Sequence, residues 1–232
     1  MNILIKFLFI ITLSTASPTP QPNIANIVII LTDDLDHTLG SFNTALPKTQ
    51  HLIGNNGATA TNWFVHTPVC CPSRAELLTG RYFHNIRVNN HTQHGCMFVN
   101  VSVDTTQSLF YNTPENNGWY FAPHFKALNY TVGIFGKHLN IDNPISAPPG
   151  VDRWFVNGGG DYMNPSFSVA NVKETGATVQ FNNCSHTTED SHGSCYSTSV
   201  IGNQTMAWIR RHVTSSNKAS MQPFFAYVAV KA

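Results

Sequence analysis

Unbroken apolar runs rich in β-branched residues punctuate the chain, with amphipathic stretches between them. Residues 26–31 (NIVIIL) form such a run, the pattern of a strand covered on both faces. It ends in Thr32, Asp33 and Asp34. Residues 130–135 (YTVGIF) and 224–230 (FFAYVAV) read the same way, and residues 58–65 predict a further strand. Residues 47–56 read as a short helix stopped at Gly57, and residues 72–79 as a helix with proline early and Gly80 at its end. Another helix is predicted over 119–128. A longer one over 197–213 places Ile201, Thr205, Trp208, Ile209 and Val213 on one face. Loops are expected from 89 to 117 and from 140 to 192. Strands alternating with helices predict an α/β fold around a largely parallel or mixed sheet. In such sheets functional groups gather beyond the carboxyl ends of strands. Asp33 with Asp34, the turn at Cys70, and Gly136 with Lys137 each follow a predicted strand.

The amino terminus has a different pattern. Residues 1–17 carry one side-chain positive charge at Lys6, an apolar run over 7–13, and then the small residues Ser14, Ala16 and Ser17. This is the layout of a secretory signal peptide, and its apolar core is shorter than the roughly 20 residues a spanning helix needs. Residues 18–25, with Pro18, Pro20 and Pro22, read as a spacer, which leaves 26–232 for the folded domain. No later run approaches membrane length. Sequons at Asn90, Asn100, Asn129, Asn183 and Asn203 fit a glycosylated, exported protein.

Composition narrows the function. Charged residues make up 11 % of the chain, against roughly 25 % in an average soluble domain. The net charge is +1, which argues against a nucleic-acid partner bound through counterion release and against a polybasic membrane-surface module. A hydrophobic content of 42 % argues against wholesale disorder. Polarity comes from neutral residues, 24 asparagines among them, in keeping with a surface dressed by glycans. The cysteines are Cys70, Cys71, Cys96, Cys184 and Cys195, an odd number that leaves one over in an oxidising compartment. Cys184 and Cys195 lie in a polar stretch and are placed to close a short loop. The adjacent Cys70 and Cys71 need their own account.

Cys70, Pro72, Ser73, Arg74, Thr79 and Gly80 fit the pattern C-x-P-S-R-x4-T-G. Here the chain resembles the type I sulfatases, whose first cysteine in C-x-P-S-R is oxidised to formylglycine by a formylglycine-generating enzyme. Residues 66–74 (HTPVCCPSR), 79–85 (TGRYFHN) and 136–140 (GKHLN) resemble most the glucosamine-6-sulfatases and extracellular heparan endosulfatases. The resemblance implies the α/β sulfatase fold of the alkaline-phosphatase-like superfamily. It also implies hydrolysis of a sulfate ester, with the 6-O-sulfate of glucosamine units in heparan or keratan sulfate as substrate. The destination would be the secretory pathway, lysosomal or extracellular.

Residue chemistry agrees with that reading. Cys70 opens a predicted helix, where the peptide dipoles amount to about half a positive charge. An aldehyde there hydrates to a diol; one hydroxyl attacks sulfur and the other expels sulfate as it collapses. Arg74, one turn on, reaches back with a fixed fork of donors. Asp33 and Asp34 repel unless a cation lies beside them. The resemblance places them, with the converted Cys70, on one Ca²⁺, with Mg²⁺ the lesser fit; hard oxygen ligands suit such ions. Lys137 matches the second sulfatase signature and would contact the diol and a sulfate oxygen. His84 and His138 are candidates for lining the substrate pocket. His138 stands where relatives commonly have another residue, and where many sulfatases place their histidine one position later.

Two other readings are open on sequence. A related metal-dependent phosphodiesterase shares the chemistry, but those relatives use Ser or Thr as nucleophile. A truncated paralogue that binds sulfated glycans without turnover is the other. In the resembling family an Asp-Asn pair, a second lysine and a substrate-contacting histidine lie later than position 232. The 232 residues alone are therefore expected to bind Ca²⁺ weakly, to aggregate, and to hydrolyse no sulfate ester.

Overall fold

The fold is that of a computed structural model, which describes residues 24–38, 40–85, 120–139, 147–158, 161–171, 174–181, 195–214 and 222–231. The expected signal peptide, residues 18–23 of the spacer, the whole predicted loop from 89 to 117, and Asn90, Asn100 and Asn183 lie outside the described residues.

Strands β1 (Ile27–Thr32), β2 (Thr131–Gly136), β3 (Arg153–Val156), β4 (Ser166–Asn171), β5 (Glu174–Gln180) and β6 (Phe224–Val230) form one sheet in the order β1-β6-β2-β3-β4-β5. The first four members of that order run parallel, and β4 and β5 add an antiparallel pair at one edge. The sheet is therefore mixed.

Helices cover both faces. Before them, α1 (Ser41–Ala45) and α2 (Pro47–Thr49) follow β1, and α2 runs into a wider turn over Gln50–Gly54. On one face α3 (Cys70–Thr79) and α4 (Phe121–Ala127) meet Leu31, Val132, Ile134, Phe225 and Tyr227. On the other, α5 (Ser197–Thr214) lays Val200, Ile201 and Trp208 over Phe135, Phe224, Ala226 and Val228. Strand β6 shows why its sequence is apolar throughout: alternate side chains feed opposite cores.

The structure departs from the sequence expectations in three places. Residues 58–65 form no strand; 58–64 are exposed, and no strand edge among the described residues pairs with them. A β-prone composition becomes a strand only where it gains a partner and a packed face. The stretch expected to be loop from 140 to 192 contains β3, β4 and β5. Finally, α3 starts at Cys70, two residues before the predicted start at Pro72.

Gly136 shapes the end of β2. Its φ is +85°, and a Cβ there would lie 2.0 Å from the carbonyl oxygen of Ala229 on β6. Only glycine lets the chain turn out of the sheet at that point while β6 packs so closely. Lys137 then donates its N–H to that same Ala229 oxygen at 2.8 Å, which fixes where its side chain leaves the sheet.

Candidate active site

At the carboxyl end of β1 the chain bends. Asp33 is buried, and Asp34 is exposed with φ at 51°, a left-handed conformation that aspartate tolerates better than most residues. The bend sends the two neighbouring carboxylates to different tasks.

Asp33 is the hub of a buried ionic group. Its Oδ1 accepts a hydrogen bond from Arg74 Nη2 at 2.9 Å, and its Oδ2 accepts one from Lys137 Nζ at 2.6 Å. Arg74 also donates through Nη1 to the backbone carbonyl of Lys137. The three side chains are between 4 and 9 % exposed, so solvent screens little of their interaction. Burial by itself would raise the pKa of the Asp33 carboxyl. The hydrogen bond from Lys137 and the charges of Arg74 and Lys137 outweigh it, and the carboxyl sits below its usual value. For Arg74, burial pulls the other way, yet electrostatic interaction with Tyr227, with Asp33 and its hydrogen bond, and with Cys70 raises the guanidinium above its ordinary range. Three elements far apart in sequence are thus locked together: the end of β1, the first turns of α3 and the end of β2.

Cys70 is the first residue of α3 and is partly exposed, with a free thiol; Cys71 is buried in the core, also as a free thiol. The Cys70 Sγ faces Asp34 Oδ1 at 3.9 Å. The preceding residue, Val69, places no side-chain cap on α3, so Cys70 stands at a helix end whose N–H groups are not taken by a cap. Glu76 staples the loop before this helix to the segment after it. Its Oε1 accepts from Thr67 Oγ1 at 2.9 Å and from the Phe83 N–H at 2.8 Å, and it pairs with His66 Nδ1 at 2.9 Å.

One ligand atom from each of Asp33, Asp34 and Cys70 lies within 4.8 Å of the others. Two carboxylates are hard donors that suit Ca²⁺ or Mg²⁺. A carboxylate offers about four lone-pair positions, so the two cationic partners of Asp33 leave room for a metal ion. The soft thiol is the member of the set that suits such an ion poorly, and an oxygen in its place would suit it well.

A family model for sulfatases matches residues 25–232. The chain belongs to the sulfatase family. N-acetylglucosamine-6-sulfatase from Homo sapiens is 30% identical to this sulfatase over 223 residues, covering 94% of this chain and 35% of that protein. The extracellular sulfatase SULF-1 homolog of Drosophila melanogaster is 35% identical over 155 residues, covering 67% of this chain and 12% of that protein. This sulfatase chain thus spans about a third, or less, of the length of these relatives. Among solved structures, a Bacteroides fragilis protein described as a sulfatase, yidJ, superposes with a TM-score of 0.59 at 20% identity, covering 95% of this chain and 45% of that one. The fold is accordingly that of the alkaline-phosphatase-like sulfatases, with a mixed central sheet.

Of the residues expected in the site, Asp33, Asp34, Cys70, Arg74 and Lys137 come together in this sulfatase, and the two histidines stand apart from them. His138 is wholly buried, edge-on to Tyr120, Trp154 and Tyr227, with Nε2 at 3.4 Å from the Tyr120 hydroxyl. It is part of the buried core. His84 is exposed and stacks on Tyr82, 5.8 Å between centroids, beside His66. Asn129 and Asn203 are exposed, the first in the turn before β2 and the second on α5. Cys195 is disulfide-bonded. Sequence reading missed Lys231, which follows β6 and is 4 % exposed. The available signal was a lysine directly after an apolar central strand. Asn157, just past β3, is equally buried, and its side-chain amide atoms find no hydrogen-bond partner among the described residues.

Proposed function

We propose that the whole protein to which these residues belong hydrolyses sulfate esters, with the 6-O-sulfate of N-acetylglucosamine or glucosamine units in heparan or keratan sulfate as substrate, and that the 232 residues alone do not turn it over. The observation that carries the reading is the Asp33 hub: Arg74 and Lys137 converge on one carboxylate beside Asp34 and a free Cys70 at the start of a helix. The substrate class is supported by the names of the relatives, N-acetylglucosamine-6-sulfatase and extracellular sulfatase.

In this reading Cys70 is converted to formylglycine by a formylglycine-generating enzyme in the secretory pathway, and the hydrated aldehyde supplies the nucleophile and later expels sulfate. Asp33, Asp34 and the modified Cys70 would hold one Ca²⁺, which would supply positive charge to the sulfate group. Asp33 stays ionised well below neutral pH, because its two cationic partners stabilise its charge. Lys137 is oriented by its bond to Asp33 and faces the anion as a compact positive charge. Arg74 holds the backbone of Lys137 and the Asp33 carboxylate in register with α3, so its role is to position both. His138 acts as packing, and His84 stands ready to line the sugar-binding side. Exposed Asn129 and Asn203, together with Asn90, Asn100 and Asn183, serve as glycan acceptors.

Calorimetric titration of the Ca²⁺-loaded protein with N-acetylglucosamine-6-sulfate and with unsulfated N-acetylglucosamine tests the reading. Binding of the sulfated sugar alone, lost in Lys137→Met, is the expected result. Equal binding of both sugars would contradict it.

A further inference from the structure

We propose that Asn157 positions Lys137, its side-chain amide held to Ser197 by ordered water buried between the sheet and α5. The proposal rests on the reading of Lys137 as a sulfate-binding residue. Asn157 is the first residue past β3, and its backbone N–H donates to the Gly136 carbonyl at 3.1 Å. Gly136 is the residue whose positive φ turns the chain out of β2 and into Lys137. Asn157 therefore grips that turn from the β3 side, as the Ala229 carbonyl does from β6.

The Asn157 side chain faces α5. Trp154 and Val156 enter the core on the α3 face, whereas Phe155 packs with Val200, Ile201 and Trp208. Alternation along the strand carries Asn157 to the side of Phe155. Helix α5 runs against the direction of the strands. Ile201 approaches Gly136 and Trp208 approaches Gly133, each at 3.0 Å from where a Cβ would stand. Ser197, four residues before Ile201, is about 6 Å farther along, past the end of β2. Its N–H donates to the Tyr162 carbonyl at 2.7 Å, which seats the helix start on the segment downstream of Asn157. Asn157 and Ser197 thus stand at one level of the same face.

Asn157 is 4 % exposed and Ser197 is wholly buried. The Asn157 Nδ2 and Oδ1 and the Ser197 Oγ have no hydrogen-bond partner among the described residues. Such groups are costly to leave dry, and in native folds nearly all of them are bonded. An anion would answer Nδ2 and repel Oδ1, and a cation would do the reverse. Water answers both, and with Ser197 Oγ it gains the two to four polar partners that hold a buried water. Bridged in this way, Asn157 ties the Gly136 turn to the start of α5, and Lys137 leaves a turn fixed on both sides.

The test pairs urea melts with calorimetric titration of inorganic sulfate, on the full chain, Asn157→Leu, Ser197→Ala, the double variant and Lys137→Met. Leucine keeps the branched shape of asparagine without its polar atoms. Each of the two single variants at the bridge should raise the unfolding constant about fivefold, and the double variant no further than Asn157→Leu alone. Unchanged or raised stability in Asn157→Leu, or fully additive losses in the double variant, would overturn the bridge. Asn157→Leu should also weaken sulfate binding by about threefold or more. If Lys137→Met loses sulfate while folded Asn157→Leu binds it like the parent, the positioning role is overturned and the site reading survives. If Lys137→Met binds like the parent, or the parent takes no sulfate, both fall. Should the leucine variant fail to fold, Ser197→Ala carries both comparisons.

Discussion

The adjacent carboxylates Asp33 and Asp34 look interchangeable in sequence, and the structure separates them. Asp33 neutralises two buried cations, so Asp33→Ala should cost about 3–5 kcal/mol, the cost of leaving a buried partner unpaired. Asp34 is exposed, and Asp34→Ala should shift stability by less than about 0.5 kcal/mol while removing a proposed metal ligand. Urea melts of the two variants check this, and equal midpoints would contradict it. A pH dependence follows from the same hub. The folded-state pKa of Asp33 is depressed below the ordinary 3.8, so its stabilisation is complete above that value. It is lost as pH falls from there through the folded value, because the unfolded chain takes up the proton first. Metal-free parent should lose stability in that acid window more steeply than Asp33→Asn. Gly136 makes a comparable demand: Gly136→Ala meets both the positive φ and the Ala229 carbonyl, and should cost at least about 2–3 kcal/mol by the same melts. Cys70, Arg74 and Lys137 were legible because their motif spacing marks them. Lys231 was not, since nothing local in a sequence says that a lysine after an apolar strand will be buried between two other charged strand ends.

At the scale of elements, the parallel core was legible because β1, β2 and β6 are continuous apolar runs, and α5 because its apolar face repeats with helical period. Strand β3 is four residues long, too short to show a period, and β4 and β5 depend on pairing with each other and with β3. Residues 58–65 have strand-like composition and no strand to pair with among the described residues. Pairing is a property of the whole sheet, which is why the local pattern misassigned both regions. The start of α3 has functional weight, because it makes Cys70 the first helical residue and sets Arg74 one turn behind it on the same side. Helix α5 should prove the main support of the opposite face. Trp208 packs at 5.5 Å from Phe135 and from Phe224, and its ring lies beside the space above Gly133. Trp208→Ala should cost about 3–5 kcal/mol in a denaturant melt, and a change below about 1 kcal/mol would show that α5 carries little of the core.

For the whole molecule, the described residues bring three candidate ligand groups together, where a tight calcium site wants roughly six to eight oxygens. The 232 residues should therefore bind Ca²⁺ with a dissociation constant of about 10⁻⁴ M or weaker, and Asp34→Ala should abolish that binding. Submicromolar affinity by calorimetry would contradict the ligand set. The central claim is narrower and can be tested first: Cys70 is the residue that becomes the nucleophile. The protein should be co-expressed with a formylglycine-generating enzyme and the peptide spanning residues 70–74 read by mass spectrometry. The account predicts an aldehyde at Cys70, with Cys71 left as a thiol. Cys70 left unmodified, under conditions that convert a control sulfatase, would contradict it.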